Sequence, residues 1–300
     1  MRTVSSLFRI LVLPGLTVAA AVGGTPVEAT GIALAVPFQD GVLAVTWGWA
    51  ELLFVRAGEP PVPAASSLED SRPCSPPSTF GDTAALCVRR ADGDYVLSFT
   101  PAGGTMEYGP YNDCGAPVFD GSGSLWFTAD GFLYNDGTST GLALEAHTIS
   151  PDSSGGWLAY CDRNDRLCLM ETIGGETRVL ASNRRFFAPQ FITIGRKTCL
   201  LSSSLEGEIV LTSASTGAGV TLARGSHPCW WSDREILLYS VTEDDGHRLT
   251  SADIWHVSPG GTPAPVAVSE DALEIQPFVM EEKVMAVDAA TGSLLQLPDP

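Results

Sequence analysis

Lysine is nearly missing from this 300-residue chain: it occurs only at Lys197 and Lys283. With 17 basic residues against 35 acidic ones, the formal net charge is −18. Such a chain repels phosphate, so it is a poor prospect for binding nucleic acid or an anionic membrane surface, and no nucleic-acid partner is expected. Sustained helical periodicity is absent after residue 30, which argues against a helical bundle. The seven cysteines include no Cys-x-x-Cys spacing, and this removes the commonest signature of a structural zinc site. The longest leading apolar run, Ile10–Val22, has 13 residues. A membrane-spanning helix needs about 20, so an integral membrane protein is not expected.

What is present begins with that run. Arg2 and Arg9 give it a positive start, and Ala19-Ala20-Ala21 supplies small residues for cleavage. Residues 1–29 are therefore read as a signal peptide, cut after Ala21 or, as a second choice, Ala29. An uncleaved anchor is the alternative. No cysteine lies near the cleavage region, so a lipid anchor is not expected there. The predicted location is exported, periplasmic or secreted. The remaining residues, 30–300, read as a single domain. Its 31 glycines and 21 prolines suit many short strands joined by turns.

Those strands recur. Seven apolar runs are expected to fill one slot: Val42–Trp47, Ala84–Arg90, Ser124–Ala129, Trp157–Asp162, Lys197–Ser203, Glu235–Val241 and Lys283–Asp288. Most follow a proline-aromatic opening, as in Pro37-Phe38, Pro189-Gln-Phe191, Pro228-Cys-Trp230 and Pro277-Phe278. Spacings of about 30 to 50 residues fit four-stranded propeller blades. The predicted fold is an all-β propeller of seven four-stranded blades, with six as the alternative count because Pro60–Pro77 holds six prolines. Ile32–Val36 is expected to complete the last blade and close the ring, removing two free edges.

The best-formed unit, residues 147–180, resembles the TolB-like, WD40-related (PD40-type) propeller repeat. Ser150-Pro151-Asp152, Trp157-Leu158-Ala159-Tyr160, Leu167-Cys168-Leu169-Met170 and Gly174-Gly175 carry the resemblance. It returns in Trp231-Ser232-Asp233, Ile236-Leu237-Leu238-Tyr239 and Asp253-Ile254-Trp255, and in Phe119-Asp120-Gly121 with Leu125-Trp126-Phe127. The resemblance implies a ring of the kind found in periplasmic binding and assembly proteins. In other members the ring accompanies a serine peptidase, but here the repeats occupy the residues such a domain would need.

Cysteines in an exported chain point to disulfides. Cys161 and Cys168 are the first candidate pair, because a hairpin centred on Asn164-Asp165 would set them directly opposite each other. One pair among Cys74, Cys87 and Cys114 is the second, and Cys199 with Cys229 the third. Gly137-Thr-Ser139-Thr-Gly141 matches a nucleophile motif in spelling, but the residues after it read as a strand rather than a helix. Ser150-Pro-Asp152-x-Ser154-x-x-Trp157 approaches a structural Asp-box turn. His147 and His227 occupy similar repeat positions in different blades. The acidic loop Glu243-Asp244-Asp245-Gly246 leaves weak calcium binding as the only cofactor alternative. Trp47, Trp49, Trp230 and Trp231 are candidate partner anchors, with packing between blades the favoured reading. No catalytic or metal-binding residue is assigned. The functional expectation is a non-catalytic, protein-binding scaffold in the cell envelope. The alternative is a hydrolase of sugars or lactones, which would need convergent carboxylates of raised pKa at one channel mouth.

Overall fold

Alternation along one hairpin explains the whole architecture. In Trp157–Cys161, Leu158 and Tyr160 pack toward the preceding repeat while Ala159 packs toward the following one. In Leu167–Glu171, Cys168 and Met170 take the first side and Leu167 and Leu169 the second. Successive side chains of a strand point to opposite faces, so a sheet apolar on both faces must be sandwiched between two neighbours. Repeating that requirement around a ring makes a propeller.

A computed structural model describes residues 19–22, 25–28 and 31–300, apart from 66, 67, 69, 101, 102 and 267–271. It is a seven-bladed propeller. Blade 1 comprises Ile32–Phe38, Gly41–Thr46, Leu52–Arg56 and Val62–Pro63. Blade 2 has a first position split between Arg72–Pro73 and Ser78–Phe80, then Thr83–Arg90, Gly93–Phe99 and Thr105–Tyr111. Blade 3 runs Val118–Phe119, Leu125–Ala129, Phe132–Asn135 and Thr138–Ala143. Blade 4 runs Ile149–Pro151, Trp157–Cys161, Leu167–Glu171 and Thr177–Ala181. Blade 5 follows with Phe186–Ile194, Lys197–Ser204, Glu208–Ser213 and Gly219–Arg224. Blade 6 has Ser226–Trp231, Ile236–Asp244, Leu249–Val257 and Ala264–Pro265. Blade 7 has Glu274–Met280, Lys283–Asp288 and Leu294–Gln296.

Every seam between neighbouring blades holds its own apolar core. The core between blades 7 and 1 joins Phe278, Met285 and Val287 to Ile32, Val42 and Val55. The ring is thus closed by packing, helped by a hydrogen bond from Ile32 N–H to Gly292 O of 3.1 Å. This corrects the role expected for Ile32–Val36: Ile32–Phe38 pairs along Gly41–Thr46 as the first strand of blade 1. The N-terminal segment at blade 7 is instead the hairpin Ala19–Val22/Thr25–Glu28, which lies beside Leu294–Gln296. Residues 1–18 of the expected leader, and its second junction at Ala29, lie outside the described residues.

The recurring proline opening has a backbone cause. Ala188, His227 and Gln276 have φ of 47°, 51° and 52°, and each precedes a proline. At each one the first strand slips by one residue against the second. Proline cannot donate to the ladder, and a single left-handed residue makes the bulge that accommodates it. Asp136 and Gly137, with φ of 46° and 76°, form the tight hairpin turn expected at the Gly137–Gly141 motif, and Thr138–Ala143 continues as a strand.

Candidate binding face

Blades 4 and 5 part at their outer strands to leave a cleft of about 320 Å3, lined by Val179, Arg184, Phe186, Thr212 and Gly217 among others. Its walls are fixed by polar contacts. Arg184 pairs with Glu208 at 2.7 Å and donates to Thr221 Oγ1 at 3.1 Å. Arg178 donates to Ala214 O at 2.5 Å, and its guanidinium lies 5.7 Å from the Trp157 ring centroid. Gly217 has φ of 72°, and a Cβ there would stand 2.5 Å from Leu180 O, so only glycine lets this turn approach the neighbouring blade. The Thr212 hydroxyl has no partner among the described residues.

Exposed apolar side chains flank it unevenly. Val179 is 45% exposed on the face it shares with Cys168, toward blade 3, and Val220 is 55% exposed on the face it shares with Leu211, toward blade 6. Trp157 and Ile173 of blade 4 are also exposed, Ile173 by 91%. Charge is unevenly spread as well. Residues 147–224 carry eight basic and seven acidic side chains, while the rest of the chain carries nine and 28. The two blades around the cleft are therefore close to neutral on a strongly acidic ring. Sequence reading missed this face because the fourth strands look merely polar. The run of arginines at 178, 184 and 185 was the available signal.

Three of the four candidate tryptophans pack between blades, the favoured reading. Trp231 is 4% exposed and sits in the core between blades 6 and 7, under the Arg234 guanidinium at 4.1 Å. Trp230 and Trp49 pack partly buried against other seams. Trp47 covers Gly31. Blade 3 shows what the Asp-turn does in this fold. Asp120 accepts from Ser122 N–H at 2.8 Å, Ser124 N–H at 3.1 Å and the Trp126 indole at 2.9 Å. Burial works to raise the Asp120 pKa, but these hydrogen bonds outweigh it and hold the carboxyl below its ordinary value. Asp152 plays the same part in blade 4, accepting from Trp157 N–H at 3.1 Å.

The cysteines fall differently from expectation. Cys161 stands opposite Leu167, and Cys168 stands opposite Tyr160. One residue of offset puts the two sulfurs on opposite faces of the blade, in different seams. The expected Cys161–Cys168 bridge is therefore not formed, and both are free thiols. Burial pushes the Cys161 thiol up to about 12. Cys199 and Cys229 are likewise free and serve separate seams. The disulfide that forms is Cys87–Cys114, from the second group. Cys74 Sγ lies 3.1 Å from Cys87 Sγ. Ligand atoms of Cys74, Cys87 and Asp94 come within 4.8 Å of one another, but Arg89 holds both Asp94 oxygens, at 2.7 and 2.8 Å.

The acidic loop, two of the histidines and the buried Glu274 complete the candidate groups. Asp245 accepts from His247 and Arg248 N–H, both at 2.9 Å, which spends one of its oxygens on shaping the acidic loop. His147 is exposed and lies 3.8 Å from Asp113, while His227 Nδ1 meets its neighbour Ser226 Oγ at 3.0 Å. Glu274 is the one carboxyl among the described residues whose pKa is raised, chiefly by burial, with Asp253 and Asp288 adding to it. Asp288 spends its oxygens on Leu273 and Ala290 N–H and the Thr291 hydroxyl.

No protein-family model matches this sequence, and no curated protein matches it. Among solved structures, a chain of the mitotic checkpoint complex is similar at a TM-score of 0.62 and 13% identity, covering 97% of this chain and 99% of that one. BamB from Moraxella catarrhalis is similar at 0.51 and 10% identity, covering 88% and 93%. The chain spans 28% of the tricorn protease chain, at a TM-score of 0.45. At such identities the first two likenesses establish the propeller fold.

Proposed function

We propose that this propeller is an exported, non-catalytic scaffold that binds a protein partner in the cell envelope through the outer face of blades 4 and 5. One observation carries the reading: exposed Trp157 and Arg178 stand together on the face of blade 4 turned to blade 5, beside a cleft in two blades that together are close to neutral. An exposed aromatic ring beside an arginine is the commonest kind of anchor at an interaction site. The partner segment would present apolar side chains to Trp157 and carboxylates to Arg178 and Arg185. The TolB-like repeat and the structural likeness to BamB support a scaffold role by analogy of fold. The hydrolase alternative is not favoured, since the raised Glu274 is buried in a seam and its neighbour Asp288 is occupied.

The test is affinity capture of the mature chain from envelope and culture-medium extracts, alongside a Trp157→Asp/Arg178→Glu variant. The control is Met106→Asp, on an exposed outer strand of blade 2. A partner recovered by wild type and control but lost from the double variant supports the face. Equal recovery by all three, or by none, contradicts it.

A further inference from the structure

The segment before blade 2's second strand is where the regular repeat breaks. Arg72 and Pro73 pair with Arg89 and Val88. Ser78 and Thr79 pair with Ala85 and Ala84, two residues out of that register. Between them Pro76-Pro77 cannot donate to a ladder, and the Ser75 hydroxyl takes over by accepting from Cys87 N–H at 2.8 Å. Cys74 continues the first register, its N–H donating to Cys87 O at 2.9 Å. Cys74 and Cys87 are thus directly opposite on neighbouring strands, and their sulfurs meet at 3.1 Å.

Cys87 alternates with Leu86 and Val88, which face blade 1, so it faces blade 3 together with Ala85. There it is bonded to Cys114, which pairs with Ala129 of blade 3. Among the described residues, the seam between blades 2 and 3 has five buried apolar residues, where the other six seams have seven or more. The bridge spans the seam with the smallest apolar core.

We propose that Cys74, Cys87 and Cys114 form a thiol–disulfide exchange site, in which Cys74 displaces Cys114 from Cys87 and converts a link between blades 2 and 3 into one within blade 2. In the step, the Cys74 sulfur, after giving its proton to water, bonds to Cys87 Sγ. The electron pair of the Cys87–Cys114 bond leaves on Cys114, which takes up a proton. No oxidant or reductant is consumed. Cys74 is exposed as a residue while its sulfur lies half-buried against Cys87, so the nucleophile can be reached by solvent. Burial and then the Asp94 charge push its thiol up to about 11, with Arg89 opposing and Asp113 adding. The attacking thiolate is therefore scarce at neutral pH, and the exchange rate rises about tenfold per pH unit below that value. Release of Cys114 leaves residues 112–116 held to blade 3 by backbone hydrogen bonds such as Gly115 N–H to Thr128 O.

The test holds the full chain at pH 6 and at pH 9 without added thiol. Free thiols are alkylated in denaturant at pH 6, and bridged peptides are mapped by mass spectrometry. At pH 9 the Cys74–Cys87 peptide should appear together with alkylated Cys114, about a thousandfold faster than at pH 6. The total of five free thiols should not change. Cys74→Ser should abolish the labelling of Cys114, and Cys161→Ser should leave it as in wild type. Cys114→Ser gives a second arm, because a Cys74–Cys87 bridge formed in it under mild oxidation supports the site even where the wild-type equilibrium favours Cys114. Cys114 unlabelled at pH 9 in wild type, with no Cys74–Cys87 bridge in Cys114→Ser, overturns the proposal.

Discussion

Blades 2 and 4 follow the same strand order, and each holds cysteines, but they use them in opposite ways. In blade 4 the ladder through the first three strands is regular. Its two cysteines fall one register step apart and serve as small apolar side chains in two different seams. In blade 2 the first strand is broken by prolines, the break sets Cys74 across from Cys87, and the third cysteine bonds from the next blade. Nearness in sequence does not decide which sulfurs meet. Strand parity does: a shift of one residue reverses the face of every side chain. The same contrast separates how the seams hold, by non-covalent contacts alone around blade 4 and with an added covalent link beside blade 2.

The contrast can be broken at several points, taken from the largest effect to the smallest. Leu158→Ala in blade 4 removes a fully buried side chain and should cost about 2–5 kcal/mol. Urea unfolding should give the same loss with or without reductant. Cys114→Ser in blade 2 opens a loop with a sequence separation of 27 and should cost about 3.5 kcal/mol by the chain-entropy estimate. That loss should vanish when both proteins are unfolded in reducing buffer. Asp120→Ala strands two backbone donors and a buried indole and should cost about 1–3 kcal/mol at pH 7. Because the folded carboxyl sits below its ordinary pKa, its contribution is present above the unfolded value of about 3.9. It is lost as pH falls through the folded value, so thermal melts of wild type and variant should converge in acid. Glu274→Gln has the smallest effect and the opposite sign. The folded pKa is raised, so ionisation weakens the fold as pH rises past about 4.3. The variant should melt a few degrees higher at pH 8 and match wild type at pH 4.

A register swap sharpens the comparison without depending on stability. Leu167→Cys combined with Cys168→Leu moves the thiol opposite Cys161. Mild oxidation should bridge that variant and leave wild-type blade 4 unbridged, as read by non-reducing peptide mapping.

Much of the ring was legible in the sequence. Strands such as Trp157–Cys161 and Ile236–Asp244 are apolar on both faces, bounded by turn residues, and repeat at blade spacing. The role of Ile32–Phe38 was not legible, because an apolar strand fits equally as the first of blade 1 or the last of blade 7. Only the pairing with Gly41–Thr46 decides it. Cys161 and Cys168 failed for a related reason. The hairpin centre can be placed from Asn164-Asp165, but its parity depends on the turn, in which Asp165 adopts a φ of 58° and Asp162 binds the N–H groups of Asn164 and Arg166. The binding face was hidden because it depends on the fourth strand of blade 4 and the third strand and following turn of blade 5, distant in sequence, meeting across a seam.

The central physical claim is that register parity, not proximity in sequence, assigns the sulfurs. It is tested most directly by disulfide mapping of the native full chain, alkylated at pH 6, where exchange is slow. The account predicts Cys87 joined to Cys114, with Cys74, Cys161, Cys168, Cys199 and Cys229 all alkylated. A Cys161–Cys168 bridge would contradict it.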